Sequence, residues 1–336
     1  MNTNQHNAQF LFDLYANWSK RMQENPNMTI EDFRSLFDEW HQPTLEPEDV
    51  CYKSDVIAGV EGIWVYPKDC DKSKVIIYTH GGGFAVGSSA SHRKLAGHLA
   101  KHLGISAFVV DYRRSPEYVF PTQIHDVSLV YKNLLKKGFS AKNMLTAGDS
   151  AGGNLAISTV LNLRNEGIEL PSAVIVFSPW LDMEHKGETL ITNDVTDALI
   201  TVDLLKGMSQ MFLGEHGDPT NPLANPLKAN YENFPRLYIN AGSVEALVDN
   251  ATRLADVAKE DGVDVTLSVV NNMQHVFPCL QDAEKLPTQI LDRASRHQQP
   301  STLQKVISNM LRKLSRIFCV ASTLGRTGIR RWRKKA

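Results

Sequence analysis

Three short stretches carry residues whose types and spacing suit acyl-transfer chemistry. "AGDSAGGNLA" holds Ser150 between Gly148 and Gly152 at the spacing G-x-S-x-G. "THGGGFAVGS" puts three glycines, Gly81 to Gly83, directly after an apolar run. "NNMQHVFP" places His275 in a turn-like segment after "VTLSVV". A serine hydroxyl is a poor nucleophile until a base takes its proton, so Ser150 needs an imidazole. A tetrahedral intermediate needs backbone N–H groups aimed at its oxyanion, and glycines let a backbone come that close. The pattern around Ser150 would occur by chance in roughly one chain in ten of this length. Its surroundings therefore have to decide.

They favour a nucleophile. "NMLTAG" reads as a strand and the run from Gly152 as a helix, so Ser150 falls on a tight strand-to-helix turn with small neighbours. Such a turn puts its hydroxyl at a helix N-terminus, where amides stabilise negative charge. Gly82, Gly83 and the amide of Ala151 are the expected oxyanion hole. A phosphate-binding turn is the competing reading of HGGG, but neither G-x-G-x-x-G nor a Walker lysine accompanies it. His275 follows the last expected strand, where the base of the chain order Ser, acid, His belongs. The acid that orients its imidazole is Glu245 or Asp249, both in "GSVEALVDN" after "RLYINAG".

The elements that must hold these groups are legible too. "GIWVYP", "KVIIYTH", "SAFVVDY", "NMLTAG", "SAVIVFS", "RLYINAG" and "VTLSVV" read as strands, several apolar throughout, as strands buried on both faces are. Helical patterns fall near 91–103, 123–136, 152–166, 248–261 and 282–296. This alternation predicts an α/β fold with a mostly parallel sheet. Two helical patterns come first: Leu11, Leu14, Tyr15, Trp18 and Met22, then Phe33, Leu36, Phe37 and Trp40. More than fifty residues separate Ser178 from Arg236, a length typical of a lid. With the N-terminal helices, that connection is expected to cap the C-terminal edge of the sheet, where α/β ligand sites lie.

Taken together, HGGG, "DYRRSPEYVFP", "GDSAGGN", "SPWLDM" and the C-terminal histidine loop resemble the hormone-sensitive-lipase family of α/β-hydrolases over roughly residues 55–280. The resemblance implies an eight-stranded, mostly parallel sheet. It also implies a helical cap built from the N-terminus and an insertion after the sixth strand. The family's acid usually opens a D-P-L-x-D pattern, with which "EALVD" aligns, so Glu245 takes the acid position and Asp249 the trailing aspartate. Glutamate here resembles the branch that includes bacterial monoterpene lactone hydrolases. "YRRSPEYVFP" departs from the usual YRLAPEHPFP at Arg114, Ser115, Tyr118 and Val119, while Glu117 is retained and is expected to support loops around the site.

The expected organisation is a cap segment at 1–50, an α/β-hydrolase core at 51–180 and 230–299, a second cap segment at 181–229, and an extension at 300–336. The expected activity is hydrolysis of short-to-medium acyl esters through an acyl-enzyme. A lactonase, acting on a ring as large as a macrolide, would use the same groups, and amide hydrolysis is a weaker option. The resemblance also admits a ligand-binding receptor, since the fold serves plants as a hormone receptor from which the histidine is lost. The presence of His275 argues against that. Phe12, Trp18, Trp40, Phe84, Met208 and Phe212 are candidates for an apolar substrate pocket.

Composition narrows the partners. A net charge of −1 gives no global reason to expect nucleic acid. Residues 300–336 hold ten Lys or Arg and no Asp or Glu, leaving 26 basic against 37 acidic residues elsewhere. "STLQKVISNMLRKLSRIF" reads as a basic amphipathic helix, for which packing on its own domain is expected before contact with a membrane surface. Four cysteines lack zinc-type spacing and read as idle thiols in a reducing compartment. No secretory leader or membrane span is recognisable, so a cytoplasmic location is expected. No cofactor or metal is called for. A homodimer is expected from the resemblance alone.

Overall fold

A computed structural model of the protein describes residues 3–279. Eight strands form one sheet: β1 (Val50–Ile57), β2 (Val60–Pro67), β3 (Asp71–Thr79), β4 (Ile105–Val110), β5 (Met144–Asp149), β6 (Ala173–Phe177), β7 (Arg236–Gly242) and β8 (Val265–Val270). Their order is β1-β2-β4-β3-β5-β6-β7-β8. β1 pairs antiparallel with β2, and β2 with β4; every other neighbour is parallel. This is the α/β-hydrolase sheet.

β4 and β5 are buried at every residue, as befits strands covered on both faces. Helices α3 (Ser89–Leu103), α4 (Thr122–Lys136), α5 (Ala151–Asn165) and α8 (Val248–Glu260) supply the cover. β1 is the strand that the sequence patterns do not single out. It is an edge strand, its residues mostly exposed, so "VCYKSDVI" has no continuous apolar run to betray it. Turn-closing register with β2 holds it instead, from Ile57 opposite Val60 to Val50 opposite Pro67. The helical pattern expected near 282–296 and the basic extension at 300–336 lie outside the described residues.

Before the sheet come α1 (Thr3–Glu24) and α2 (Ile30–Asp38). Thr29 caps α2 reciprocally with Asp32, satisfying two otherwise orphan N–H groups. Tyr15 and Trp18 of α1 bury their rings with Phe37 and Trp40, at centroid separations of 5.6 Å for each contacting pair. The long connection after β6 carries α6 (Thr189–Thr192) and α7 (Val202–Leu213). α7 buries Leu205, Met208 and Phe212, and the Phe212 ring stacks on Phe84 at 3.7 Å. Both segments thus meet loops that follow the C-terminal ends of strands.

Candidate active site

The turn between β5 and α5 is where backbone sterics leave least freedom. Ser150 adopts φ 52°, ψ −122°, a conformation costly for a residue with a Cβ and usually found where structure over-determines it. Its carbonyl accepts from the Trp180 N–H at 3.0 Å, and its N–H donates to the Phe177 carbonyl at 2.9 Å. Close packing requires glycine beside it. A Cβ on Gly152 would collide with the carbonyl oxygens of Thr79 and His80, and one on Gly148 with the Gly152 carbonyl. The Thr79 hydroxyl donates to the Gly152 carbonyl at 2.7 Å, tying the start of α5 to β3.

His275 comes to this turn from 125 residues away, in the loop after β8, with Nε2 at 3.0 Å from Ser150 Oγ. The loop is pinned on two sides. The Tyr15 hydroxyl donates to the His275 carbonyl at 2.8 Å, and the Val276 N–H donates to Ser178 Oγ at 2.9 Å. Glu245, in the loop after β7, lies behind the imidazole, with Oε2 at 3.3 Å from Nδ1. At this separation the two form an ion-pair contact without a well-formed hydrogen bond. Such looseness is common before substrate binds. Glu245 is wholly buried and His275 nearly so.

Asp249 takes no part in this contact. Its carboxylate accepts from Asn250 Nδ2 at 3.0 Å and from the Thr189 N–H at 3.4 Å, at the start of α8. Of the two acids, Glu245 is the one that lies beside the imidazole.

Electrostatics follow from burial and neighbours. Burial pushes the Glu245 carboxyl above its ordinary value, opposed by His275 and the Ser178 hydroxyl. Burial alone would lower His275, but Glu245, then Asp197 and Asp149, outweigh it and leave the imidazole raised. A neighbouring anion stabilises the imidazolium form.

The glycine loop follows β3. Gly82 and Gly83 have φ +105° and +60°, and a Cβ on either would strike Val86 or Met208 respectively. Among the described residues, no protein hydrogen bond uses the N–H of Gly82, Gly83 or Ala151. Those donors remain available, and both glycines line the same cavity as Ser150 and His275. Arg34 of α2 holds this loop from outside. It donates to the carbonyls of Ala85 (3.0 Å) and Ser115 (3.1 Å) and pairs with Glu117 at 2.7 Å. Arg114 adds a bond to the Gly87 carbonyl at 2.6 Å. Glu117 thus does support a loop at the site, through Arg34.

The cavity itself is narrow. Its free volume is about 30 Å³, room for a water or two. Trp40, Met208, Leu199, Ile200 and Leu205 form its apolar wall. Of the six apolar candidates, only Trp40 and Met208 line it. Phe84 and Phe212 stack on each other instead, Trp18 is spent in the aromatic cluster of α1 and α2, and Phe12 is part-exposed. Helical spacing marks which residues are apolar, not which of two apolar faces they fill.

Two features of the site were not visible in the sequence. His92, which reads as an ordinary helix residue, lines the cavity and sits with Nε2 at 3.3 Å from Asp149 Oδ2. Asp149 also accepts from the Tyr78 hydroxyl at 2.6 Å. Burial raises that carboxyl, yet His92, Tyr78 and His80 together leave it lowered. The second is Asp197, described below. No cluster of His, Cys, Asp and Glu suited to a metal occurs among the described residues. Among them, too, no helix is long and apolar enough to cross a membrane.

An elbow serine, a histidine and a carboxylate at the C-terminal edge of this sheet are the framework of an α/β-hydrolase. The alpha/beta hydrolase fold family matches residues 76–279, and the chain belongs to it, within the hormone-sensitive-lipase group. It is similar to an acetyl-hydrolase of Streptomyces hygroscopicus, 36% identical over 64% of this chain and 71% of that one. An esterase of Acinetobacter venetianus is 31% identical over 66% and 73%. Among solved structures, an esterase from the bacterial hormone-sensitive lipase family superposes with a TM-score of 0.78 at 29% identity, covering 92% of this chain and 97% of that one.

Proposed function

We propose that this chain is a serine carboxylic-ester hydrolase that acts through an acyl-enzyme on short-to-medium acyl esters. The observation that carries the reading is the 3.0 Å approach of His275 Nε2 to Ser150 Oγ on the strained elbow. The esterase and acetyl-hydrolase names of its relatives support it. In this reading Ser150 Oγ attacks the ester carbonyl while His275 takes its proton. Glu245 orients the ring and stabilises the imidazolium. The N–H groups of Gly82, Gly83 and Ala151 receive the oxyanion, where preorganised donors are worth most. His275 then protonates the leaving alcohol, and water releases the acyl group by the same route.

Residues 1–50 and 181–229 are read as a cap over a core of 51–180 and 230–299, and the cap sets the acyl length. A cavity of about 30 Å³ walled by Trp40 and Met208 favours small acyl groups, and nothing in it favours a macrolide-sized ring. Hydrolysis of a nitrophenyl-ester series from acetyl to dodecanoyl tests this. The expected optimum is acetyl to butyryl, with kcat/KM falling at least about tenfold by the long chains, since each chain must displace cap side chains. An optimum at dodecanoyl would overturn the short-acyl assignment, and no turnover of any ester would overturn the esterase reading.

The pH profile offers a second check. His275 must be neutral to act as base, and its neighbours hold its pKa above the ordinary 6.5. Activity should therefore rise with pH through a midpoint above 6.5, because a raised pKa keeps the base protonated to higher pH. A kcat/KM midpoint below 6.5 would contradict the site's electrostatics.

A further inference from the structure

Asp197 lies in the long connection between α6 and α7 and is 6% exposed. A buried carboxylate is expensive unless its oxygens are bonded, and here backbone N–H groups do the bonding. Oδ1 accepts from Leu199 at 2.9 Å and Ile200 at 2.8 Å, and Oδ2 accepts from Ala246 at 2.7 Å. The first two bonds fold its own segment. The third reaches the loop of the candidate acid, at the residue next to Glu245.

The residues flanking Asp197 reach the other loop. Gln274, next to His275, donates to the Thr196 carbonyl at 2.7 Å and accepts from the Ala198 N–H at 3.0 Å. Asn193 of the same segment donates to the Glu245 carbonyl at 2.9 Å. Ser19 of α1 donates to the Ala198 carbonyl at 2.6 Å. One short stretch, residues 193–200, is therefore bonded to the acid loop, the base loop and α1 together. A hydrophobic contact could pack these pieces. It would not fix them at hydrogen-bond precision.

We infer that Asp197 is a positioning residue for the site: its carboxylate folds residues 193–200 and ties them to the acid loop at Ala246, which sets Thr196 and Ala198 to hold Gln274 of the base loop. The inference rests on the catalytic reading given above. The groups acting on the imidazole are Glu245 from the loop after β7, Asp197 from the connection and Asp149 from the end of β5, while the Tyr15 hydroxyl from α1 bonds the His275 carbonyl. Asp197 and Asp149 both favour the protonated ring. Asp197 therefore has two separable effects: it orders the loops, and its carboxylate, itself raised by burial, adds to Glu245 in favouring the protonated ring.

The test compares wild type with Asp197→Asn, Asp197→Glu, Gln274→Leu and Ser150→Ala. The readouts are kcat/KM for nitrophenyl acetate against pH, active-site titration with a nitrophenyl phosphonate, and thermal melting. Asp197→Asn removes the charge, so the acid limb should move down by about one pH unit, with kcat lower by about tenfold. Asp197→Glu keeps the charge and should keep the limb at its wild-type position. Gln274→Leu keeps the charge but cuts two loop bonds, so kcat should fall about tenfold with the limb unmoved. An unmoved limb in titratable Asp197→Asn overturns the inference. Should that variant fail to fold, an unchanged kcat in Gln274→Leu overturns it. Ser150→Ala separates the two levels: if it stays active, the catalytic reading falls and this inference with it. If it is dead while Asp197→Asn behaves as wild type, the inference alone falls.

Discussion

Ser150→Ala should lower kcat for nitrophenyl esters by about 10⁵- to 10⁶-fold, with little change in melting temperature. Removing Oγ takes away the only atom that forms the acyl bond in the proposed mechanism. The scaffold around it is indifferent to the loss. The three backbone bonds of Ser150, to Phe177 and from Trp180 and Asn154, survive, and alanine carries the same Cβ at φ 52° that serine does. The oxyanion donors also remain, so a residue of roughly 10³-fold over water should persist, from binding and the amides of Gly82, Gly83 and Ala151. Stopped-flow assays of the purified variant beside wild type, with melting curves for both, check this. Retention of more than about a hundredth of wild-type kcat would mean another nucleophile.

That this residue could be singled out at all reflects how the elbow is built. Two glycines are forced by carbonyl oxygens within touching distance of where a Cβ would sit, so steric necessity writes itself into the sequence as G-x-S-x-G. The glycine loop after β3 is legible for the same reason. Inner strands such as β5 are legible because burial on both faces demands an unbroken apolar run. β1 has no such demand placed on it, and its polar, exposed residues look like loop.

Long-range placement is the part that sequence hides. Glu245 and Asp249 are chemically equivalent candidates four residues apart, and only the turn into α8 decides which faces the imidazole. Asp197 lies in "TDALIT", where nothing separates it from a solvated surface acid. Its burial comes from three backbone donors, one of them 49 residues away at Ala246. His92 hides in the same way, on the buried face of a helix whose other inward residues are mostly apolar, where its ring also meets the Asp149 carboxylate. Periodicity reports which face is inward but not that a carboxylate waits there.

The choice between the two acids makes the other large prediction. Glu245→Gln should lower kcat by about 10³- to 10⁴-fold, while Asp249→Asn should cost no more than a few-fold. The amide keeps the volume of the fully buried side chain but presents no anion to Nδ1. The imidazole then loses the partner that selects the tautomer with Nε2 free to receive the serine proton, and the imidazolium loses its nearest counter-charge. Asp149 and Asp197 remain, so the field is weakened rather than abolished, which is why the loss should stop short of that in Ser150→Ala. Asp249→Asn disturbs only bonds to Asn250 and the Thr189 N–H, and an asparagine oxygen can still accept both. Parallel kcat measurements on the two variants distinguish the assignments, since a severe loss in Asp249→Asn with a mild one in Glu245→Gln would reverse them. Raising pH should not rescue Glu245→Gln, because a wrong tautomer is not a protonation deficit, whereas a base limited only by its charge would recover as the proton leaves.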